Sequence, residues 1–276
     1  MIIDGKEIAL RKYEQIKKQV SDIKTPLTLL AILVGNNASS LRYIRQKKKW
    51  SEYVGINFVL DHLDENIEEK VLLEKIEKYN NDKNITGMIV QLPLPNHIDS
   101  KRVINLINPV KDIDGFNEKN QGKLLIGDDS GLIPCTPAGV IDIINDLKID
   151  LRGKTVTVIG KSNIVGKPLT MLLINASATV ISCNSKTKNL KQFTKISDIV
   201  ICAVGKPGLL TLDMVNDKTV IIDVGFTVVD DKIYGDANFD NIDKNGNQIT
   251  PVPGGVGPLT VANLMGNVIK SYNLNK

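Results

Sequence analysis

The stretch 156-VTVIGKSNIVGKP-168 decides the fold. Its apolar, β-branched start reads as a buried strand, and Gly160, Ser162, Gly166 and Pro168 break that pattern into a loop that opens a helix. Gly160 permits a tight turn, and Gly166 lets the helix approach the strand. The N–H groups at the helix start can then face a phosphate. A plain strand-to-helix turn with no ligand would carry the same glycines, so this segment alone leaves both readings open. An NAD site usually places an acid at the end of the next strand, to bind the ribose 2′-hydroxyl. Here that position reads Cys183-Asn184-Ser185-Lys186-Thr187, with no acid, and Lys161 sits in the first turn. A cation with hydroxyls suits a 2′-phosphate, so if the loop holds a dinucleotide, NADP is expected over NAD.

The rest of the second half supports a doubly wound sheet. KTVTVIG (154–160), ATVISC (178–183), DIVICAVG (198–205) and TVIIDVG (219–225) recur as continuous apolar runs. The first half has its own series: LTLLAILVG (27–35), INFVLDHL (56–63) and GMIVQLPL (87–94). Helical patterns at 40–55 and 67–82 separate them. The expected fold class is therefore α/β, with two α/β domains flanking a cleft. The second is a Rossmann-type doubly wound parallel sheet, and the cleft is the expected ligand site. We place the N-terminal domain at 1–120 and the dinucleotide-binding domain at 121–256. The join falls in the Gly- and Asp-rich stretch 121–137, and a C-terminal helix of about 257–276 is expected to pack back on the first domain. Thr136 is expected as the N-cap of a helix, with Pro137 at its first position.

Composition narrows the function. The chain has 276 residues, with 35 basic and 31 acidic side chains for a net charge of +4. That balance suits an anionic small molecule and gives no reason to expect nucleic acid, and only 4% of residues are aromatic. No apolar run reaches membrane-spanning length, and Asp, Lys and Glu interrupt the N-terminus where a signal peptide needs an apolar core. A cytoplasmic protein is expected. Cys135, Cys183 and Cys202 show neither disulfide nor zinc spacing, and no metal site is expected. His62 and His97 are the only histidines, so acid-base chemistry falls to Lys, Tyr, Asp or Glu.

Four further segments can carry chemistry. Tyr43 and Lys47 stand four apart on a predicted helix and share a face. A buried lysine there could act as a base, although a solvated basic face is the plainer reading of KKK (47–49). VQLPLP (90–95) sets Gln91 at a strand end, and KDIDGF (111–116) sets Asp112 and Asp114 in a turn. The rigid loop 250-TPVPGGVGPLT-260 could lend backbone groups to a ligand, or serve as structure only.

Together Y-x-x-x-K, VQLPLP, KDIDGF, IPCTPAG, GKSNIVGKP and PVPGGVGP resemble, in order and spacing, the bifunctional methylenetetrahydrofolate dehydrogenase/methenyltetrahydrofolate cyclohydrolase family. The resemblance covers almost the whole chain. It implies oxidation of 5,10-methylenetetrahydrofolate to the methenyl cation with NADP, then hydrolysis to 10-formyltetrahydrofolate. This is one-carbon chemistry that feeds purine biosynthesis. It places the catalytic lysine on Lys47, the tyrosine that packs on the folate on Tyr43 and the supporting glutamine on Gln91. The aspartate that grips the pterin's amino edge falls on Asp114. Pro253, Gly254 and Gly255 would border the folate, and Gly160, Lys161, Ser162, Ser185 and Phe226 would hold NADP. The partners implied are a folate and a second copy of the chain, as a homodimer, with no nucleic acid and no membrane. Lys161, Asn184, Thr227 and Trp50 depart from the residues common in that family.

A shikimate-dehydrogenase-like enzyme would share the two-domain NADP architecture, but it would leave VQLPLP and PVPGGVGP unexplained. A basic α/β protein that binds RNA would need clustered cations with interleaved aromatics.

Overall fold

The apolar runs become parallel strands because β-branched and leucine-rich segments can be buried on both faces only when helices cover the sheet. The structure is a computed structural model and describes residues 2–276. The elements run α1 (Gly5–Ser21), β1 (Thr28–Val34), α2 (Ala38–Val54), β2 (Asn57–Leu63), α3 (Glu69–Asn81) and β3 (Gly87–Val90). Then follow α4 (Ser100–Leu106), α5 (Glu118–Leu125), α6 (Cys135–Asp146), β4 (Thr155–Ile159), α7 (Gly166–Asn175) and β5 (Thr179–Cys183). The last are α8 (Leu190–Lys195), β6 (Ile199–Cys202), β7 (Val220–Asp223), β8 (Thr227–Val229), β9 (Lys232–Tyr234), α9 (Phe239–Lys244) and α10 (Val256–Leu274).

The chain divides into two units. One is Arg11–Cys135 with Val261–Lys276; the other is the segment up to Leu10 with Thr136–Thr260. The first unit holds a three-stranded parallel sheet in the order β2-β1-β3. Leu30, Ile32 and Val34 of β1 pack with Leu72 and Ile76 of α3 and Met88 and Val90 of β3. Each such buried aliphatic side chain contributes about 1.5–3 kcal/mol. Residues 121–135 belong with this unit rather than the second, where composition had set them. Helix α5 occupies part of the Gly- and Asp-rich stretch, and the Leu132 N–H donates to Asn120 Oδ1 at 3.1 Å. Lys270 Nζ of α10 also donates to the Asp129 and Gly131 carbonyls, at 2.6 Å each.

The second unit holds a four-stranded parallel sheet ordered β5-β4-β6-β7. Chain order reverses between β4 and β6, the switch point at which such sheets bind ligands beyond their C-terminal ends. Cys183 and Cys202 are buried in its core, as their apolar settings predict. The N-terminal segment joins this unit because the Ile3 N–H donates to the Ile249 carbonyl at 2.9 Å. The short antiparallel β8–β9 hairpin follows the sheet, and the apolar pattern of the sequence does not mark it.

Helix α6 departs from expectation at its start. It begins at Cys135, so Thr136 lies inside its first turn and is not the N-cap. The Thr136 hydroxyl is instead 3.1 Å from that of Thr260. Among the described residues no helix is long and apolar enough to cross a membrane.

Candidate functional site

Helix α2 sorts the three consecutive lysines by geometry. Successive residues on a helix turn by about 100°, and only Lys47 faces inward, at 8% exposure. Lys48 is exposed and lies 3.9 Å from Glu52, and Lys49 sits over the Trp50 ring. The solvated-face reading of KKK thus holds for two lysines and fails for the third. Trp50, one turn below Lys47, stacks on Tyr13 with ring centroids 4.0 Å apart, so α1 accommodates the large side chain.

Lys47 Nζ donates to Gln91 Oε1 at 3.0 Å. Gln91 follows β3 directly, and its Nε2 donates to the Leu92 carbonyl at 2.8 Å, which turns its oxygen toward the lysine. The Leu92–Pro93 peptide after it is cis. Tyr43 lies one turn before Lys47 and is 38% exposed; burial of its ring raises the phenol pKa.

Asp114 completes this group. Burial raises its carboxyl pKa, and the positive charge of Lys47 pulls it back down. Among the described residues no group donates a hydrogen bond to its carboxylate. A half-buried acid without a partner is costly unless a ligand supplies the donors. The turn that carries it is tight: Gly115 has φ +73° and its backbone abuts that of Ile133 and Pro134, so a side chain there would clash.

Three residues around Asp114 went unassigned in the sequence reading. Asn267 of α10 donates from Nδ2 to the Ile113 carbonyl at 2.8 Å and to that of Ile133 at 2.9 Å, bracketing Asp114. Its distance along the chain from the turn hid it. Cys135 is buried beside Asp114 and Lys47, and burial pushes its thiol pKa well up. The sequence alone places Asp112 only in a turn. Its Oδ2 accepts from the Asn117 N–H at 2.7 Å and from Asn120 Nδ2 at 3.1 Å, which closes the loop behind Asp114.

Burial outweighs these donors and pushes the Asp112 pKa up to about 7. An unfolded aspartate titrates near 4. Between those values the folded chain holds a proton that the unfolded chain has lost. The group's stabilisation is therefore full below pH ~4 and is lost as pH rises through about 7, by at most ~1.4 kcal/mol per pH unit. Asp112→Asn keeps an oxygen for both donors and cannot titrate. Urea unfolding at pH 5 and pH 8 should show a smaller stability difference in the variant than in the wild type. An equal difference would mean that Asp112 does not hold this proton.

In the second unit, the opening glycines do what the pattern requires. Gly160 has φ +134°, and a Cβ on it would strike the Ala203 carbonyl; one on Gly166 would strike the Gly160 carbonyl. Helix α7 therefore starts close against the end of β4. Ser162 Oγ accepts from the Val165 and Gly166 N–H groups at 3.2 and 3.4 Å, and so caps α7. Lys161 and Ser185 are exposed at the ends of β4 and β5, and Phe226 is 39% exposed past β7. Topology thus brings the five predicted cofactor residues to one end of this sheet. No carboxylate lies in the turn after β5, where Asn184 Oδ1 accepts from the Lys186 N–H at 3.0 Å. The site fits a phosphorylated ribose. Pro253, Gly254 and Gly255 also lie in this unit, in a turn closed by the Gly255 N–H to the Pro251 carbonyl at 2.8 Å.

Fold and side chains together define a two-unit α/β protein with a dinucleotide-binding sheet in one unit and a buried lysine–glutamine–aspartate group in the other. Comparison with known proteins narrows that class. Family models match both parts: the tetrahydrofolate dehydrogenase/cyclohydrolase catalytic domain over residues 3–114, and the NAD(P)-binding domain of the same family over 134–276. The chain belongs to the tetrahydrofolate dehydrogenase/cyclohydrolase family.

Bifunctional protein FolD of Bacillus licheniformis is 47% identical over 98% of this chain and 96% of its own length. The crystal structure of the bifunctional FolD methylenetetrahydrofolate dehydrogenase/cyclohydrolase from Campylobacter jejuni superposes with TM-score 0.95 at 41% identity, covering 100% of this chain and 99% of that one. The Trypanosoma brucei enzyme, solved with NADP cofactor and inhibitor, gives TM-score 0.94 at 31% identity over 99% and 97%. Shikimate dehydrogenase from Aquifex aeolicus gives TM-score 0.59 at 12% identity over 91% and 94%, a likeness of fold alone.

Proposed function

We propose that this chain oxidises 5,10-methylenetetrahydrofolate with NADP and hydrolyses the methenyl product to 10-formyltetrahydrofolate, with Lys47, Gln91, Tyr43 and Asp114 as the working side chains. The observation that carries this reading is the buried Lys47 held by Gln91 at 3.0 Å. NADP, when bound, accepts the hydride from the methylene carbon. The chain's own residues do the rest. Asp114 accepts the N–H groups of the pterin's amino edge, which supplies the donors that no described residue gives its carboxylate. The Tyr43 ring packs on the folate, and Pro253, Gly254 and Gly255 border it. Water adds to the methenyl carbon, the ring C–N bond opens, and Lys47 moves the proton that the water gives up. Gln91 orients Lys47 for that step. The hydroxyls and cation at Ser162, Ser185 and Lys161, with Gly160 and Phe226, receive the dinucleotide. The reading includes a cytoplasmic homodimer.

Heat-shift titration tests the substrate class. Tetrahydrofolate should raise the melting temperature with concentration, as a ligand of the folded state does, and shikimate should leave it unchanged. The reverse result would reject the proposal.

The cofactor assignment carries its own expectation. Lys161→Ala should cost about 1.5–3 kcal/mol of NADP binding, as for a hydrogen bond to a charged group, and leave NAD binding unchanged. Calorimetric titration of both dinucleotides checks it. Equal losses for the two would remove Lys161 from the 2′-phosphate.

A further inference from the structure

Two buried carboxylates in the second unit remain outside the chemistry described above. Asp223 ends β7 and is 3% exposed; Asp236 follows the β8–β9 hairpin and is 0% exposed. Neither forms an ion pair among the described residues; both accept backbone N–H groups. Asp223 Oδ1 accepts from Gly225 at 2.8 Å and Asp236 at 3.0 Å, and its Oδ2 from Ala237 at 2.8 Å. Asp236 Oδ2 accepts from Val204 at 2.7 Å and Gly205 at 3.2 Å, and its Oδ1 from Lys206 at 2.6 Å. The backbone leaves room for both acids. A Cβ on Gly225 would strike the Asp236 carboxylate, and one on Gly235 would strike that of Asp223.

The segment so held is the loop after β6. That loop and the one after β4 flank the switch point of the sheet. They also abut, since the Ala203 carbonyl fills the space beside Gly160. Three N–H groups of successive residues, committed to one carboxylate, fix the path of the loop before any ligand arrives. A site whose walls are already in place spends less binding energy on ordering them.

We propose that Asp236, seated by Asp223, is a positioning residue for NADP: it pre-sets the Val204–Lys206 backbone beside the Gly160 turn and thereby raises dinucleotide affinity without touching the dinucleotide. This rests on the placement of NADP at the ends of β4 and β6.

Asp236→Asn replaces one acceptor oxygen by an NH2 that opposes an amide N–H. It should weaken NADP binding about tenfold or more. The KM for methylenetetrahydrofolate should stay within about twofold, and methenyltetrahydrofolate hydrolysis, which uses no NADP, should persist. Unchanged NADP affinity, or equal loss of NADP binding and hydrolysis, would overturn the proposal. The latter would mark a merely structural acid. Lys161→Ala separates the two levels. If it weakens NADP and Asp236→Asn does not, only the positioning role fails. If neither variant weakens NADP, the placement of the dinucleotide fails with it. Amide hydrogen exchange on the wild-type chain needs no variant to fold. Val204, Gly205 and Lys206 should exchange slowly without NADP, and fast exchange that slows only on NADP addition would contradict a pre-set loop.

Discussion

Lys47→Met should abolish methenyltetrahydrofolate hydrolysis, by at least the roughly 10²–10⁴-fold typical of a general acid-base group. Methionine fills the same narrow space but can neither give nor take a proton, and it releases Gln91 from its 3.0 Å contact. Hydride transfer should survive in part, because the protein's share of that step is mainly to hold the two reactants in register. Lys48→Met and Lys49→Met should hydrolyse at near the wild-type rate, since both side chains leave the site along exposed faces of α2. Formation and loss of methenyltetrahydrofolate, followed separately in the three variants, check this. A Lys47 variant with full hydrolysis, or a Lys48 variant with none, would move the catalytic lysine elsewhere.

Asp114→Ala should raise the KM for methylenetetrahydrofolate roughly 10–100-fold and leave NADP affinity intact. Charge-assisted hydrogen bonds contribute about 1.5–3 kcal/mol each, and among the described residues no group donates a hydrogen bond to this carboxylate in competition with the pterin. Asp114→Asn should fall between, because its oxygen still accepts one N–H while its NH2 opposes the other. Steady-state kinetics with each substrate varied in turn resolve the two effects. Normal folate binding in Asp114→Ala would place the pterin's amino edge on another group.

What the letters made legible were features with a local cause. Every proposed strand exists: β1, β3, β4, β6 and β7 are continuous apolar runs buried on both faces, whereas the edge strands β2 and β5 are largely exposed. The strands are shorter than the runs: 87–94 contains β3 only to Val90, since Pro93 and Pro95 cannot continue the ladder. Four-residue spacing put Tyr43 and Lys47 on one face, but it could not say that this face is inward for Lys47. That depends on Gln91, whose position follows from β3 pairing beside β1. The supporting residues were hidden because their partners are remote. Asn267 meets Ile113 and Ile133 only after α10 is in place, and Asp236 meets Val204 only through the closure of the β8–β9 segment. Composition also misplaced 121–135. Gly and Asp there mark the turns around α5, and hydrogen bonds from the Leu132 N–H to Asn120 and from Lys270 to the Gly131 carbonyl hold the segment in the first unit.

The most direct measurement follows the purified protein with 5,10-methylenetetrahydrofolate and either NADP or NAD, reading reduced dinucleotide and 10-formyltetrahydrofolate in the same reaction. The account predicts reduced dinucleotide with NADP far faster than with NAD, and 10-formyltetrahydrofolate accumulating behind it. Reduction of NADP with no 10-formyltetrahydrofolate beyond the uncatalysed rate would contradict the role given to Lys47. No reduction of either dinucleotide would contradict the account as a whole.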